Sequence, residues 1–328
     1  MLFMFTISEI DSIVEKGIFS LELKGDPDEL YNPIEYLISI GGKRLRPKLA
    51  ILTYNLFLDK IDRSILYPAM GLEVFHGFTL IHDDIMDNAD LRRNRMTVHK
   101  KWNNNIAILS GDVMCIKSYQ YMAMAPADKL KPVMDMFSDT AAKVCEGQQY
   151  DMNYESAPFI TMEDYLSMIG LKTAVLIAAS SKLGAIIAGA PAPMAEALYN
   201  YAYQLGLAFQ IKDDYFDSFG DSVVFGKKIG GDILCGKKTW LLVESLRRAS
   251  GTGRSEILEI FKSNGIAPEG KISTVLEVYK DLGIKEAAEE AMDDLRKKAL
   301  ECVKDCGFTK EQKERLHEFA DEIINREK

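Results

Sequence analysis

Apolar positions recur at helical spacing along most of the chain, and the strict alternation of a half-buried strand is scarce. Residues 67–88 form a long, mostly apolar run that ends in carboxylates. Residues 105–124, 132–154 and 162–189 follow the same period, and 194–219 repeat the first theme of an apolar helix closed by carboxylates. A further helix is predicted over 237–249, after a Gly-rich loop at 220–236. Several of these runs are apolar nearly all round, which places them inside a bundle rather than on its surface. The breaks fall at Pro27, Pro33, Gly41-Gly42, Pro126, Pro191-Ala192-Pro193 and between Gly226 and Gly236; none has the composition of a flexible interdomain linker. From about residue 251 onward the sequence turns charged and amphipathic, as in Glu286 to Lys298, and reads as peripheral helices of the same domain. The pattern predicts an all-α fold, one helical domain over 1–328.

Composition narrows the function. With 328 residues, 47% hydrophobic and 27% charged, the chain fits a soluble protein with a large core. A net charge of -9 argues against a nucleic-acid partner. Five cysteines, an odd number without paired spacing, argue against a disulfide framework. Cys302 and Cys306, four apart, are two ligands short of a structural zinc site. The apolar start, Met1 to Phe5, is too short for a signal core, has no basic residues before it and is followed by Glu9 and Asp11. No uninterrupted apolar run of about 18 residues reads as a membrane span. A cytoplasmic protein without stable membrane insertion is expected.

Chemistry concentrates in two carboxylate motifs. The first is His82-Asp83-Asp84-Ile85-Met86-Asp87 and the second is Lys212-Asp213-Asp214-Tyr215-Phe216-Asp217. Asp83 and Asp87 are four apart, as are Asp213 and Asp217, so each pair shares one helical face. Each motif closes an apolar run, toward the helix end where the dipole gives a carboxylate no help. Stacked carboxylates repel, and buried ones need a compensating cation. Mg²⁺ takes one or two carboxylates and fills its other positions with water and phosphate oxygens. Two facing carboxylate helices would thus hold Mg²⁺ and a diphosphate. A solvated acidic face explains a single such motif equally well; two copies, both after apolar runs, weigh toward function.

The cations lie beside these motifs although the chain is acidic. Arg92 and Arg93 follow the first motif, Lys43, Arg44 and Arg46 follow Gly41-Gly42, and Lys227, Lys228, Lys237 and Lys238 flank the loop after the second. Lys172-Thr173 interrupts the apolar run 162–189. Arginine meets phosphate oxygens as a fork and lysine as a point charge, and paired glycines let backbone approach a phosphate closely. Lysine-arginine runs in loops are commonly just solvated, and Lys172 could snorkel. His76 by itself would be a core histidine, but it stands seven residues before Asp83 on the same face.

GGKRLRP at 41–47, HDDIMD followed by LRR at 82–93, KT at 172–173, FQIKDD at 209–214 and GKK…GD…GKKT at 226–239 resemble, in order and spacing, the trans-isoprenyl diphosphate synthases, also called polyprenyl synthetases, of short-chain type such as farnesyl or geranylgeranyl diphosphate synthase. The resemblance covers about residues 35–245 by motif. It implies an isoprenoid synthase-type helical bundle around a central cavity, a homodimer, and three Mg²⁺ ions per site. Carried over residue by residue, Asp83, Asp87 and Asp213 bind Mg²⁺, supported by Asp84, Asp214 and Asp217. Arg92, Lys172, Thr173, Gln210, Lys227 and Lys237 match positions that hold an allylic diphosphate, and Lys43, Arg46, His76 and Arg93 match an isopentenyl diphosphate site. Asp83, Asp84, Asp87, Arg92, Lys172, Asp213 and Lys227 are the residues expected to carry catalysis. Two departures bear on loop geometry: the double arginine continues as Asn94-Arg95-Met96-Thr97-Val98-His99 where the family usually has Gly and then Pro-Thr-Val-His, and Asp221-Ser222 lacks a usual proline.

The implied reaction is ionisation, condensation and elimination, with dimethylallyl, geranyl or farnesyl diphosphate as primer. Cations stabilise the departing diphosphate, an apolar aromatic-lined pocket holds the allylic cation, and the final proton passes to the released diphosphate. Thr79, small and one turn below Asp83, with Phe75 and Phe78 nearby, points to a product of fifteen to twenty carbons. A terpene cyclase would usually replace the second aspartate motif with an Asn/Asp…Ser/Thr…Glu set, and a silent regulatory subunit of a heteromeric synthase tends to lose one motif; residues 213–221 read DDYFDSFGD and both motifs are kept.

Overall fold

The structure is a computed structural model that describes residues 4–220, 229–263 and 265–325. The chain runs α1 (Ile7–Phe19), α2 (Asp28–Ser39), α3 (Leu45–Asn55), α4 (Arg63–Met86), β1 (Leu91–Arg92), β2 (Arg95–Met96), α5 (Val98–Lys101), α6 (Asn104–Met122) and α7 (Leu130–Ser156). It continues as α8 (Met162–Ile169), a π-turn (Gly170–Ala174), α9 (Val175–Ile187), α10 (Ala192–Phe219), α11 (Gly231–Cys235) and α12 (Trp240–Arg248). The last helices are α13 (Gly253–Lys262), α14 (Pro268–Asp281), α15 (Ile284–Cys302) and α16 (Lys310–Asn325). The all-α expectation holds, with two local corrections. The run 162–189 is broken by the π-turn, and a minimal antiparallel hairpin pairs Leu91 with Met96 and Arg92 with Arg95 where no hairpin is predicted.

Side chains at the helix starts explain where several elements begin. Thr6 accepts the amide of Glu9 while the Glu9 carboxylate accepts that of Thr6, and Thr161 and Asp164 repeat this reciprocal box. Asp62, Asn103 and Thr239 accept the amides of Ser64, Ile106 and Leu242. Each such cap is worth about 1 kcal/mol.

Contacts divide the chain into two compact units, Met1–Thr140 with Leu176–Tyr199 and Ala141–Val175 with Asn200–Lys328. In the first, α4 packs along α6 and α3, and α2 packs on α6. Ile65, Ala69, Leu72, Val74, Phe75 and Ile81 are all buried, so α4 is enclosed on nearly every side, as its apolar sequence requires. Thr53 on α3 donates to the Ser181 carbonyl on α9 at 2.9 Å. In the second unit, Tyr165, Ile169, Trp240, Leu242, Tyr279 and Ile284 belong to one apolar core. The charged C-terminal helices cover it as amphipathic elements: Ala288, Met292, Leu295 and Ala299 form the buried stripe of α15. Two stretches, Arg63–Met86 and Met162–Ile187, are long and apolar enough to cross a membrane by length and composition, and most of each is buried within the protein. Among the described residues no cysteine is in a disulfide.

Candidate active site

In the first unit, basic residues gather because the chain bends sharply at two places. Gly41 (φ +82°), Gly42 (φ +156°) and Arg44 (φ +47°) form the turn that launches α3. A Cβ on Gly42 would lie 2.5 Å from Arg93 Nη1, so only glycine lets that guanidinium reach the backbone here. The second bend is the hairpin, whose central residues Arg93 (φ +50°) and Asn94 (φ +61°) are both left-handed, as a type I′ turn demands. Asparagine tolerates that conformation better than most side chains. Asn94 therefore serves at this turn without a glycine.

These turns, with α2 and α4, frame a small cleft lined by Gly41, Arg44, Glu73, His76, Arg92 and Arg93 among others. Arg44 is buried, donating to Glu73 Oε1 at 2.8 Å and to the Ile38 carbonyl at 2.7 Å. Arg46 is buried as well, and Lys43 is exposed. Burial and the charges of Arg46, Arg93, Arg92 and Arg44 push the His76 imidazole well below its usual range, so it is neutral at pH 7. A neutral histidine can both donate and accept, which suits a ligand oxygen in a site already rich in positive charge.

The first aspartate motif closes α4. Asp84 is buried and receives Arg92 as a fork, with Nε and Nη2 at 2.8 to 3.0 Å from its oxygens. Asp83 is partly exposed and Asp87, the C-cap residue, is exposed. Below them, Phe75 is buried, 5.4 Å from the Phe78 ring and 5.2 Å edge-on from Phe137, which in turn meets Tyr119 at 4.8 Å. Thr79 donates to the His76 carbonyl at 2.8 Å.

The second unit holds the other motif near the end of α10. Asp213 is partly exposed. Asp214 is buried and accepts three hydrogen bonds, from Tyr165 Oη at 2.7 Å, the Trp240 amide at 2.8 Å and Gln210 Nε2 at 3.1 Å. Burial, then the charge of Asp232, raises its carboxyl to about 7 against the pull of those donors. Asp217, also buried, accepts the Asp232 amide at 3.0 Å. Thr173 donates to Gln210 Oε1 at 2.9 Å, and Lys172 Nζ sits 2.5 Å from Asp151. Both belong to the π-turn, a feature frequent at functional positions. Gly147 admits that turn, since a Cβ there would lie 2.2 Å from the Lys172 amide nitrogen. Lys237 follows Gly236 (φ +68°) and donates its amide to the Asp232 carbonyl. Lys227 and Lys228 lie outside the described residues.

Within each unit the expected residues thus come together: His76, Arg46, Arg92 and Arg93 in one, Thr173, Gln210 and Asp214 in the other. Sequence reasoning missed Glu73, Tyr165 and Asp151, whose partners are 29, 49 and 21 residues away. Glu73 has the one available signal, a carboxylate within an apolar helical run. Among the described residues no group of three or more His, Cys, Asp or Glu is gathered so as to hold a metal ion on its own.

A family model for polyprenyl synthetase matches residues 27–279. The chain is 40% identical over 254 residues to a short chain isoprenyl diphosphate synthase of Methanocaldococcus jannaschii, covering 77% of each chain. It is 34% identical over 337 residues to a geranylgeranyl diphosphate synthase of Methanosarcina mazei, covering 100% of both. A crystal structure of geranylgeranyl pyrophosphate synthase superposes with a TM-score of 0.92 at 37% identity, covering 99% of this chain and 100% of that one.

Proposed function

The chain belongs to the polyprenyl synthetase family, and from that membership we propose that it is a trans-prenyltransferase condensing isopentenyl diphosphate with an allylic diphosphate to give a fifteen- to twenty-carbon all-trans product. It works as a single synthase domain over 1–328, in the cytoplasm, as a homodimer. Exposed Ile108, Leu109 and Ile116 on the outer side of α6 support that assembly, because apolar side chains of this size clustered on one exposed face favour a covering partner.

The observation that carries the reading is the Gly41–Arg44 turn and the Arg93–Asn94 turn converging on one cleft with neutral His76. Lys43, Arg46, His76 and Arg93 hold the isopentenyl diphosphate, His76 and Arg93 from the lining of that cleft. Lys172, Thr173, Gln210, Lys227, Lys237 and Arg92 hold the allylic diphosphate.

Mg²⁺ fits the donor set, which is oxygen-only: partly exposed Asp83 and exposed Asp87 stand one turn apart, while Arg92 engages the oxygens of buried Asp84. Asp83, Asp87 and Asp213 would hold the ions, three per site, with Asp84, Asp214 and Asp217 as supports. Bound Mg²⁺ would neutralise the charge that develops on the departing diphosphate.

Lys172 and Arg92 add fixed positive charge at that diphosphate as the allylic C–O bond breaks. The isopentenyl double bond attacks the allylic carbon to form the new C–C bond, and the proton lost from the adduct passes to the released diphosphate. Phe75, Phe78 and Thr79 bound the space available to the growing chain.

Incubating the pure protein with Mg²⁺, isopentenyl diphosphate and each primer in turn tests this. The expected result is elongation to fifteen or twenty carbons that stops in excess EDTA. Cyclic hydrocarbons, no turnover with any primer, or undiminished activity in EDTA would overturn it.

A further inference from the structure

We propose that Tyr165 is a positioning residue for the allylic diphosphate, its hydroxyl fixing the direction of the Thr173 side chain through Asp214 and Gln210; this rests on the function proposed above. Tyr165 belongs to none of the motifs. It stands on α8, fully buried, with its hydroxyl 2.7 Å from Asp214 Oδ2. That oxygen also accepts the Trp240 amide at 2.8 Å, so α8 and the first turn of α12 clamp one carboxylate from two directions. The other oxygen accepts Gln210 Nε2 at 3.1 Å.

The chain of bonds has one polarity. Ionised Asp214 offers only acceptors, and Gln210 turns its amide nitrogen toward it and its carbonyl oxygen away. The carbonyl then faces Thr173, whose hydroxyl donates to it at 2.9 Å. Gln210 lies one helical turn from Asp214 on the same helix and cannot by itself fix that carboxylate relative to α8. Tyr165 can, because α8 leads directly into the π-turn that bears Thr173. The hydrogen bonds and the intervening backbone therefore close a ring. Residue 173 is located against Gln210 at one point and, through Tyr165, against Asp214 at another. Without the phenol hydroxyl the ring opens, Asp214 keeps the Trp240 amide, and the amide face shown to Thr173 is no longer set from its own helix.

Tyr165→Phe keeps the ring and its packing while deleting the hydroxyl. Its KM for the allylic diphosphate should rise about tenfold, the scale of one lost hydrogen bond to a charged group, with the KM for isopentenyl diphosphate unchanged. Calorimetric binding of the allylic diphosphate alone should weaken by the same factor. In a Thr173→Val background the added effect of Tyr165→Phe should shrink below about twofold, because both changes break one ring. Gln210→Met, which opens the ring elsewhere, should give the same selective loss and the same non-additivity. Equal changes in both KM values, full additivity with Thr173→Val, or wild-type kinetics would overturn the assignment while leaving the activity intact. A wild-type chain that elongates no primer would overturn the parent reading and this one with it.

Discussion

Gly42 combines a positive φ with a guanidinium where its side chain would be, so a single methyl group is expected to displace Arg93 from the cleft. Gly42→Ala should raise the KM for isopentenyl diphosphate by about tenfold or more, a usual penalty for moving a binding group by an ångström, and leave that for the allylic partner nearly unchanged. His76 sets a pH dependence on the same cleft. Its folded pKa lies well below the unfolded 6.5, so the unfolded chain takes up the proton first as pH falls. Stability from keeping His76 neutral is complete above pH 6.5 and is lost on acidification. Urea titrations at about pH 7.5 and about pH 5 should show a loss in the wild type that is smaller in His76→Gln. Phe78 is only partly buried and lies between the Phe75 and His82 rings; Phe78→Ala is expected to lengthen the product, read by chromatography of the dephosphorylated alcohols.

At the scale of elements, the hairpin is the sharpest case of local backbone chemistry. Replacing Asn94 by Val puts a β-branched residue at φ +61° and should cost about 1–2 kcal/mol, whereas Asn94→Gly should change stability by less than about 0.5 kcal/mol. Chemical denaturation of the two variants separates the outcomes. The elements also explain what the sequence could and could not announce. Helices 63–86 and 192–219 were legible within a few residues because apolar periodicity and carboxylate ends coincide there. The hairpin was not, since two-residue strands contain no alternation and Arg93-Asn94 lacks the glycine that usually marks such a turn. The π-turn was not either: Gly170-Leu171-Lys172-Thr173-Ala174 is compatible with an ordinary helix, and the close approach of its backbone to Gly147, 25 residues before Lys172, is invisible to local propensity. Long-range partnerships such as Tyr165 with Asp214 have no local signature at all.

At the scale of the whole molecule, motif order identified the family and the relatives bear it out, whereas the division into two compact units was not apparent from composition, which shows no linker. The two aspartate motifs fall in different units, as do the residues matched to the two substrates, apart from Arg92. The cluster around His76 sets Arg44, Arg46, Arg92 and Arg93 against a chain whose net charge is -9. A diphosphate approaching from bulk solvent therefore meets repulsion first and attraction only within about a Debye length, roughly 8 Å at physiological ionic strength. Added salt acts on these two stages in opposite directions. It screens the distant acidic surface and speeds arrival, and it weakens the grip once the ligand has docked. Stopped-flow association should consequently pass through a maximum as sodium chloride rises, where a uniformly basic binder would show a steady decline. Buffers that are themselves phosphate or sulfate compete for the same arginines, so rates measured in them fall below those in an amine buffer of equal ionic strength.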